Sequence, residues 1–199
     1  MKKFIFIFLI LMFSPVAGSA EVYNSPFGFS VNLSSHWLIV SREELKTQQD
    51  IIRSLSNLTK DKRLIEATSK QILRGEVECY YNLKTSDEYF LDNIAVRKSL
   101  KNFSGLFKEC EGLSAKLSKA FGRPIEVFEC GYKKMGNLSG FFVDIEGVIQ
   151  GSRHFTFYFL NSRNEVIAIS GTCKNQSLKV FRKEFEYIIT SLNKSHGAR

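Results

Sequence analysis

Apolar and polar residues alternate from Val22 to Leu33, with Phe27, Phe29, Val31 and Leu33 set against Gly28, Ser30 and Asn32. That two-residue period is the mark of a half-buried strand. A turn at Ser34-Ser35 leads to a short strand over Trp37 to Val40, and Ser41-Arg42-Glu43-Glu44 then reads as a capping box. The Ser41 hydroxyl accepts from the backbone N–H three residues on, and Glu44 reaches back to the cap. A helix is predicted from there to about Leu58, with a second piece from Lys62 to Leu73 that Gly75 closes. Both are modestly apolar and belong on the outside of the domain. Strands follow at Glu76 to Leu83 and Asn93 to Arg97. Leu106, Cys110, Leu113, Leu117 and Phe121 then recur at spacings of 4, 3, 4 and 4, which predicts one helix over Ser104 to Phe121, ended by Gly122-Arg123-Pro124.

Four strands come next in close succession: Ile125 to Lys133, Leu138 to Ile149, Arg153 to Leu160 and Val166 to Cys173. Their short connections imply antiparallel neighbours. A final helix from Ser177 to Leu192 carries Leu178, Phe181, Phe185, Ile188 and Leu192 on one stripe. The order ββ, helical region, ββ, helix, ββββ, helix predicts an α+β domain with a mostly antiparallel sheet. Phe141, Val143 and Ile145 face one way, and Phe142 and Val148 the other. Apolar residues on both sets predict helices on both faces, a three-layer α/β/α sandwich. No repeat or long linker interrupts residues 21–194, read as a single domain, and 195–199 read as a disordered tail.

Residues 1–20 have a different grammar. Met1-Lys2-Lys3 is a short basic start, Phe4 to Phe13 is an unbroken apolar run, and Gly18-Ser19-Ala20 offers the small residues of a cleavage site. This is the anatomy of a secretory signal peptide, too short in its apolar part to span a bilayer. The expectation is export to the periplasm or beyond, with no transmembrane segment in a soluble mature chain. The whole chain has 28 basic against 20 acidic residues, a formal charge of +8. The leader holds two of the lysines and no acid, so the rest carries +6. That charge concentrates in residues 97–134 and 174–199, which suggests a positive face for a protein or anionic envelope component. Export argues against nucleic acid, and Phe155, Phe157 and Phe159 have the period of core residues rather than of an RNA-binding strand.

All four cysteines, Cys79, Cys110, Cys130 and Cys173, lie beyond the leader. In an exported chain an even number suggests disulfides, here with three possible connectivities, against the alternative of buried free thiols. No C-x-x-C or Cys/His ligand spacing points to a metal, and no nucleotide or cofactor motif is present, so no metal-binding, cofactor-binding or catalytic residue is assigned. Gly136-Asn137-Leu138-Ser139-Gly140 has its serine one place late for a nucleophile elbow, although Asp144 and His154 follow in hydrolase-like order. His36 and His154 are the histidines that a Cys or Ser nucleophile would need.

The opening Tyr23-Asn-Ser-Pro-Phe-Gly-Phe-Ser-Val-Asn-Leu-Ser-Ser-His-Trp37 resembles the start of the PsbP-like superfamily, where a strand with a Gly-aromatic pair leads through a polar turn to a tryptophan. Val166 to Thr172, with its Gly-Thr ending, and Phe181 to Leu192 resemble that superfamily's last strand and last helix. Ser34-Ser35-His36 stands where a proline commonly precedes the tryptophan, and the helical region 41–74 is long. The superfamily takes in PsbP-like, Mog-like and exported bacterial DcrB-like proteins. The resemblance implies an α/β/α sandwich and a mostly non-enzymatic role. The expected function is an exported, non-enzymatic binding or accessory protein of the cell envelope. A small Cys- or Ser-nucleophile hydrolase and a photosystem-associated extrinsic protein are the alternatives.

Overall fold

A computed structural model describes residues 21–47, 62–86, 89–100, 102–108 and 110–193. The proposed leader, the continuation of the first helix to Leu58 and the 195–199 tail lie outside the described residues.

Nine strands and five helices are present among the described residues. The first stretch is a hairpin rather than one strand: β1 (Glu21–Ser25) turns through Pro26-Phe27-Gly28 into β2 (Phe29–Leu33). Then come β3 (Trp37–Val40), α1 (Arg42–Thr47), α2 (Lys62–Leu73), β4 (Val77–Asn82) and β5 (Asn93–Lys98). The cap of α1 is as expected in kind, but Ser41 Oγ accepts from the Glu43 N–H, one residue nearer, while Glu44 Oε2 accepts from the Ser41 N–H at 3.0 Å. The second half holds α3 (Phe103–Phe107), α4 (Leu113–Phe121), β6 (Val127–Met135), β7 (Leu138–Glu146), β8 (Ser152–Leu160), β9 (Val166–Lys174) and α5 (Leu178–Thr190). Strands β3 to β9 form one antiparallel sheet in the order β3-β4-β5-β9-β8-β7-β6.

Two expectations need correction. The stripe from Leu106 to Phe121 does not form one helix. Gly112 stands at φ +67°, a left-handed conformation that breaks the chain between α3 and α4, and none of the α4 side chains is buried. Strand β7 also ends at Glu146, and Val148 and Ile149 are exposed in the turn to β8 instead of packing on the sheet. The Arg123 guanidinium holds that turn, donating to Glu146 Oε1 at 2.8 Å and to the Gly147 carbonyl.

The larger core lies on one face of the sheet, here face A. Phe142, Phe155, Phe157, Phe159, Ile167 and Ile169 meet Phe181, Phe185 and Ile188 of α5, and Phe29, Val31 and Leu33 of the hairpin cover the rest. Helix α5 can come this close because β9 has Gly171 beneath it: a Cβ there would lie 2.7 Å from Phe185 Cδ2. Glu78 is buried at the hairpin side of this face, accepting from Ser25 Oγ at 2.6 Å and Tyr23 OH at 3.0 Å. Burial raises its pKa, against the pull of those hydroxyl donors. On the opposite face B a smaller core joins Leu45 of α1 and Ile72 of α2 to Val77, Cys79 and Tyr81 of β4. At the far end of face B, α3 packs against β7, and a disulfide ties Cys110 to Cys130 on β6. Phe141 and Phe142, each 1% exposed, point to opposite faces, so the sandwich has three layers.

Candidate functional site

The registers of β4, β5, β9, β8 and β7 place face-B residues in rows across the sheet. One row runs Tyr81, Asn93, Thr172, His154, Ile145; the next runs Cys79, Ala95, Ser170, Thr156, Val143. A third runs Val77, Arg97, Ala168, Tyr158, Phe141. Each row is apolar at its ends, under the helices, and the first two are polar in the middle. That middle is the floor of a cleft of about 760 Å³ whose lining includes Asn93, Arg97, His154, Ser170 and Thr172.

The floor is held by its own hydrogen bonds. His154 Nδ1 lies 2.9 Å from Thr172 Oγ1, its Nε2 lies 3.0 Å from Thr156 Oγ1, and Thr156 Oγ1 lies 3.0 Å from Ser170 Oγ. A neutral imidazole, with one donor and one acceptor nitrogen, completes this chain. Burial first, and then the positive charge of Arg97, lower the His154 pKa from 6.5 to about 4, although Asp144 beyond the sheet opposes the shift. Asn93 is fixed by a bond from its Nδ2 to the Leu91 carbonyl at 2.7 Å. On the β4 side Val77, Cys79 and Tyr81 with Leu91 form an apolar wall, and Thr68, Gln71 and Glu76 line the cleft as well. Burial pushes the Cys79 thiol up to about 12, so it is no nucleophile at neutral pH.

Two features stand out at the mouth of the cleft. The Arg97 side chain is exposed and, among the described residues, makes no hydrogen bond or ion pair, unlike Lys98 beside it, which meets Glu165 at 2.7 Å. At the rim, Tyr89, Leu100 and Ile149 are 71, 103 and 59% exposed.

The other candidate residues do not assemble into chemistry. Ser139 and His154 are separated along the sheet, because His154 stands opposite Ile145, roughly 20 Å from Ser139 at the strand rise. Asp144 points to face A, where it binds the guanidinium groups of Arg153 and Arg182. A second, shallower concavity of about 350 Å³ does contain Ser139, among Phe103, Tyr132, Asn137, Leu138 and Leu160, with no histidine or carboxylate. His36 is closer to a serine, with Ser34 Oγ at 3.4 Å and Glu184 Oε2 at 3.1 Å. Both contacts fall on Nε2, whereas a relay needs the nucleophile on one ring nitrogen and the carboxylate on the other.

Of the four candidate disulfide cysteines, Cys110 and Cys130 are joined, while Cys79 and Cys173 are buried free thiols. Those two cannot pair with each other, since Cys79 faces the smaller core on face B and Cys173 the larger core on face A. Part of the basic charge of residues 97–134 and 174–199 is neutralised among the described residues. Lys98, Arg123, Lys133 and Arg182 are engaged by acids, and helix α5 lies across the sheet from the Cys110 to Cys130 bridge. Among the described residues no group of His, Cys, Asp and Glu could hold a metal, and no helix is long and apolar enough to cross a membrane.

The floor of the cleft was available in the alternation itself. On either side of the core Phe155 in β8 stand His154 and Thr156, and between Ile169, Gly171 and Cys173 of β9 stand Ser170 and Thr172. Reading only the apolar set of each strand passes over them.

No protein-family model and no curated protein matches the chain. Among solved structures, the cyanobacterial PsbP (CyanoP) of Synechocystis sp. PCC 6803 is similar in fold, with a TM-score of 0.54 at 11% identity over 92% of this chain and 96% of that one. A protein from Bacteroides thetaiotaomicron VPI-5482 aligns over 91% of this chain and 50% of its own, at 13% identity and a TM-score of 0.47. The seven-stranded antiparallel sheet, its two helical layers and the near-complete alignment with the cyanobacterial protein lead to one conclusion: the fold of this chain is PsbP-like.

Proposed function

We propose that this is an exported, non-enzymatic binding or accessory protein of the cell envelope, which acts by contact with a protein or an anionic component at the middle of face B. The observation that carries the reading is the cleft: among the described residues its one histidine is occupied on both ring nitrogens, while the Arg97 side chain has no partner and Leu100 and Ile149 are exposed. The leader-like first twenty residues support export, and the Cys110 to Cys130 bridge fits an oxidising compartment. The hydrolase alternative finds no support in the site, where neither His36 nor His154 has the two partners of a catalytic base. Nothing in the cleft favours a photosystem role.

A photo-crosslinking side chain at position 100 tests the reading, because Leu100 is fully exposed at the rim and its replacement disturbs no packing. In cell-envelope extracts the crosslinker is expected to capture a discrete partner, and Arg97→Glu is expected to abolish that capture. Capture that Arg97→Glu leaves unchanged, or none from position 100, overturns the reading.

A further inference from the structure

We propose that the cleft on face B is a binding site for one amphipathic anion, an alkyl or acyl chain ending in a carboxylate or phosphate, with the head group on Arg97. This deepens the binding-protein reading and rests on it.

The inference follows from the two-sidedness of the cleft. A purely apolar slot would be lined all round like the smaller core beside it, and a site for a free inorganic anion would be lined by donors. This cleft has both: Ser170, Thr172 and His154 on the β9–β8 side, and Val77, Cys79, Tyr81 and Leu91 on the β4 side. Its volume of about 760 Å³ suits a small organic molecule rather than a lone ion.

Electrostatics choose the sign of the head group. His154 is held neutral. The charges around the mouth cancel in pairs: Lys98 with Glu165, and Glu76 with Arg74 at 2.6 Å. Asp144 lies on the opposite face, spent on Arg153 and Arg182. Among the described charged residues lining the cleft, Arg97 alone has no ionic partner, and a planar guanidinium suits the paired oxygens of a carboxylate or phosphate. The apolar chain of the ligand has a path from there along the β4 wall, from Val77 to Tyr81, toward Tyr89 and Ile149 at the Asn93 and Thr172 end of the cleft. Both are exposed, whereas Leu100 stands at the Arg97 end, beyond the pair of Lys98 with Ile167.

Calorimetry on the purified exported protein tests this with four probes below their aggregation concentrations: dodecanoate, dodecyl phosphate, dodecanol and inorganic phosphate. One equivalent of dodecanoate, dodecyl phosphate or both is expected to bind, at least about tenfold more tightly than dodecanol or inorganic phosphate. The preferred head group tells a fatty-acid-like ligand from a phospholipid-like one. Arg97→Gln is expected to weaken the anions about tenfold and leave dodecanol unchanged, while Lys98→Gln changes neither. The proposal is overturned if dodecanol binds as well as the anions, if inorganic phosphate matches them, if Arg97→Gln has no effect, or if no probe binds. Should no amphiphile bind while position 100 still captures an envelope partner through Arg97, this proposal alone fails; loss of that capture as well removes the binding reading too.

Discussion

His154 shows how far the surroundings of one side chain can set its chemistry. In the folded chain it titrates at about 4, and in the unfolded chain near its ordinary 6.5. Between those values the unfolded chain takes up a proton that the folded protein refuses, so folding weakens as pH falls through this window. The contribution is complete above pH 6.5, and it is lost progressively until about pH 4, where the folded imidazole also protonates. A shift of this size corresponds to roughly 3 kcal/mol. His154→Gln removes the titration while keeping one donor and one acceptor for Thr172 and Thr156. The stability difference between wild type and this variant, followed by urea unfolding, is expected to fall by about that amount between pH 7 and pH 4. A difference independent of pH would mean that His154 is solvated and that the cleft floor is not closed by hydroxyls as described.

At the scale of elements, α3 and α4 show why a good apolar period is not yet a helix. The spacing of Leu106, Cys110, Leu113, Leu117 and Phe121 suits one stripe, yet Gly112 turns left-handed and Cys110 is drawn aside to Cys130. Leu113 and Leu117 end half-buried, and Phe121 is 43% exposed. Helix α4 therefore leans on the disulfide and on short polar ties, such as Ser114 Oγ donating to the Ile125 carbonyl at 2.6 Å. Replacing Cys110 and Cys130 together by serine is expected to cost about 3 kcal/mol for a loop of this length, read as a lower urea midpoint. An unchanged midpoint would show that α4 packs without the bridge. The strands were far more legible, because alternation is a local signal and both faces of β7 are buried. The last helix was legible for the same reason: Phe181, Phe185 and Ile188 recur on a single side. The cleft was not, although each of its floor residues sits in plain alternation with the core. Asn93 comes from a strand far in sequence from the two that carry His154 and Thr172, and only the β5-β9-β8 register brings the three into one row. That Arg97 stands unpaired while Lys98 does not is likewise a property of the register, invisible to charge counting.

For the molecule as a whole, the sheet divides the apolar interior into two cores of unequal strength. The face-A core runs from the hairpin through all seven strands of the sheet to α5, whereas the face-B core under α1 and α2 is a small cluster around Val40, Leu45, Ile72 and Cys79. Regions with fewer buried contacts open at lower free energy, so the α1–α2 layer is expected to detach before the sheet and α5 come apart. The free thiols report the two events separately, since Cys79 lies in the small core and Cys173 in the large one. Both are pushed up to about 12 and react only when exposed. Under native conditions with a slow alkylating reagent, mass spectrometry is expected to find Cys79 modified well before Cys173, with Cys110 and Cys130 unmodified until reductant is added. Ile72→Ala, which truncates a fully buried contact of α2, sharpens the test. It is expected to speed labelling of Cys79 severalfold while leaving Cys173 unchanged, because its cost falls on the smaller core. Equal acceleration at both cysteines would show that the domain opens only as one unit. The cleft would then be a rigid groove, with no α1–α2 layer able to lift from one of its walls.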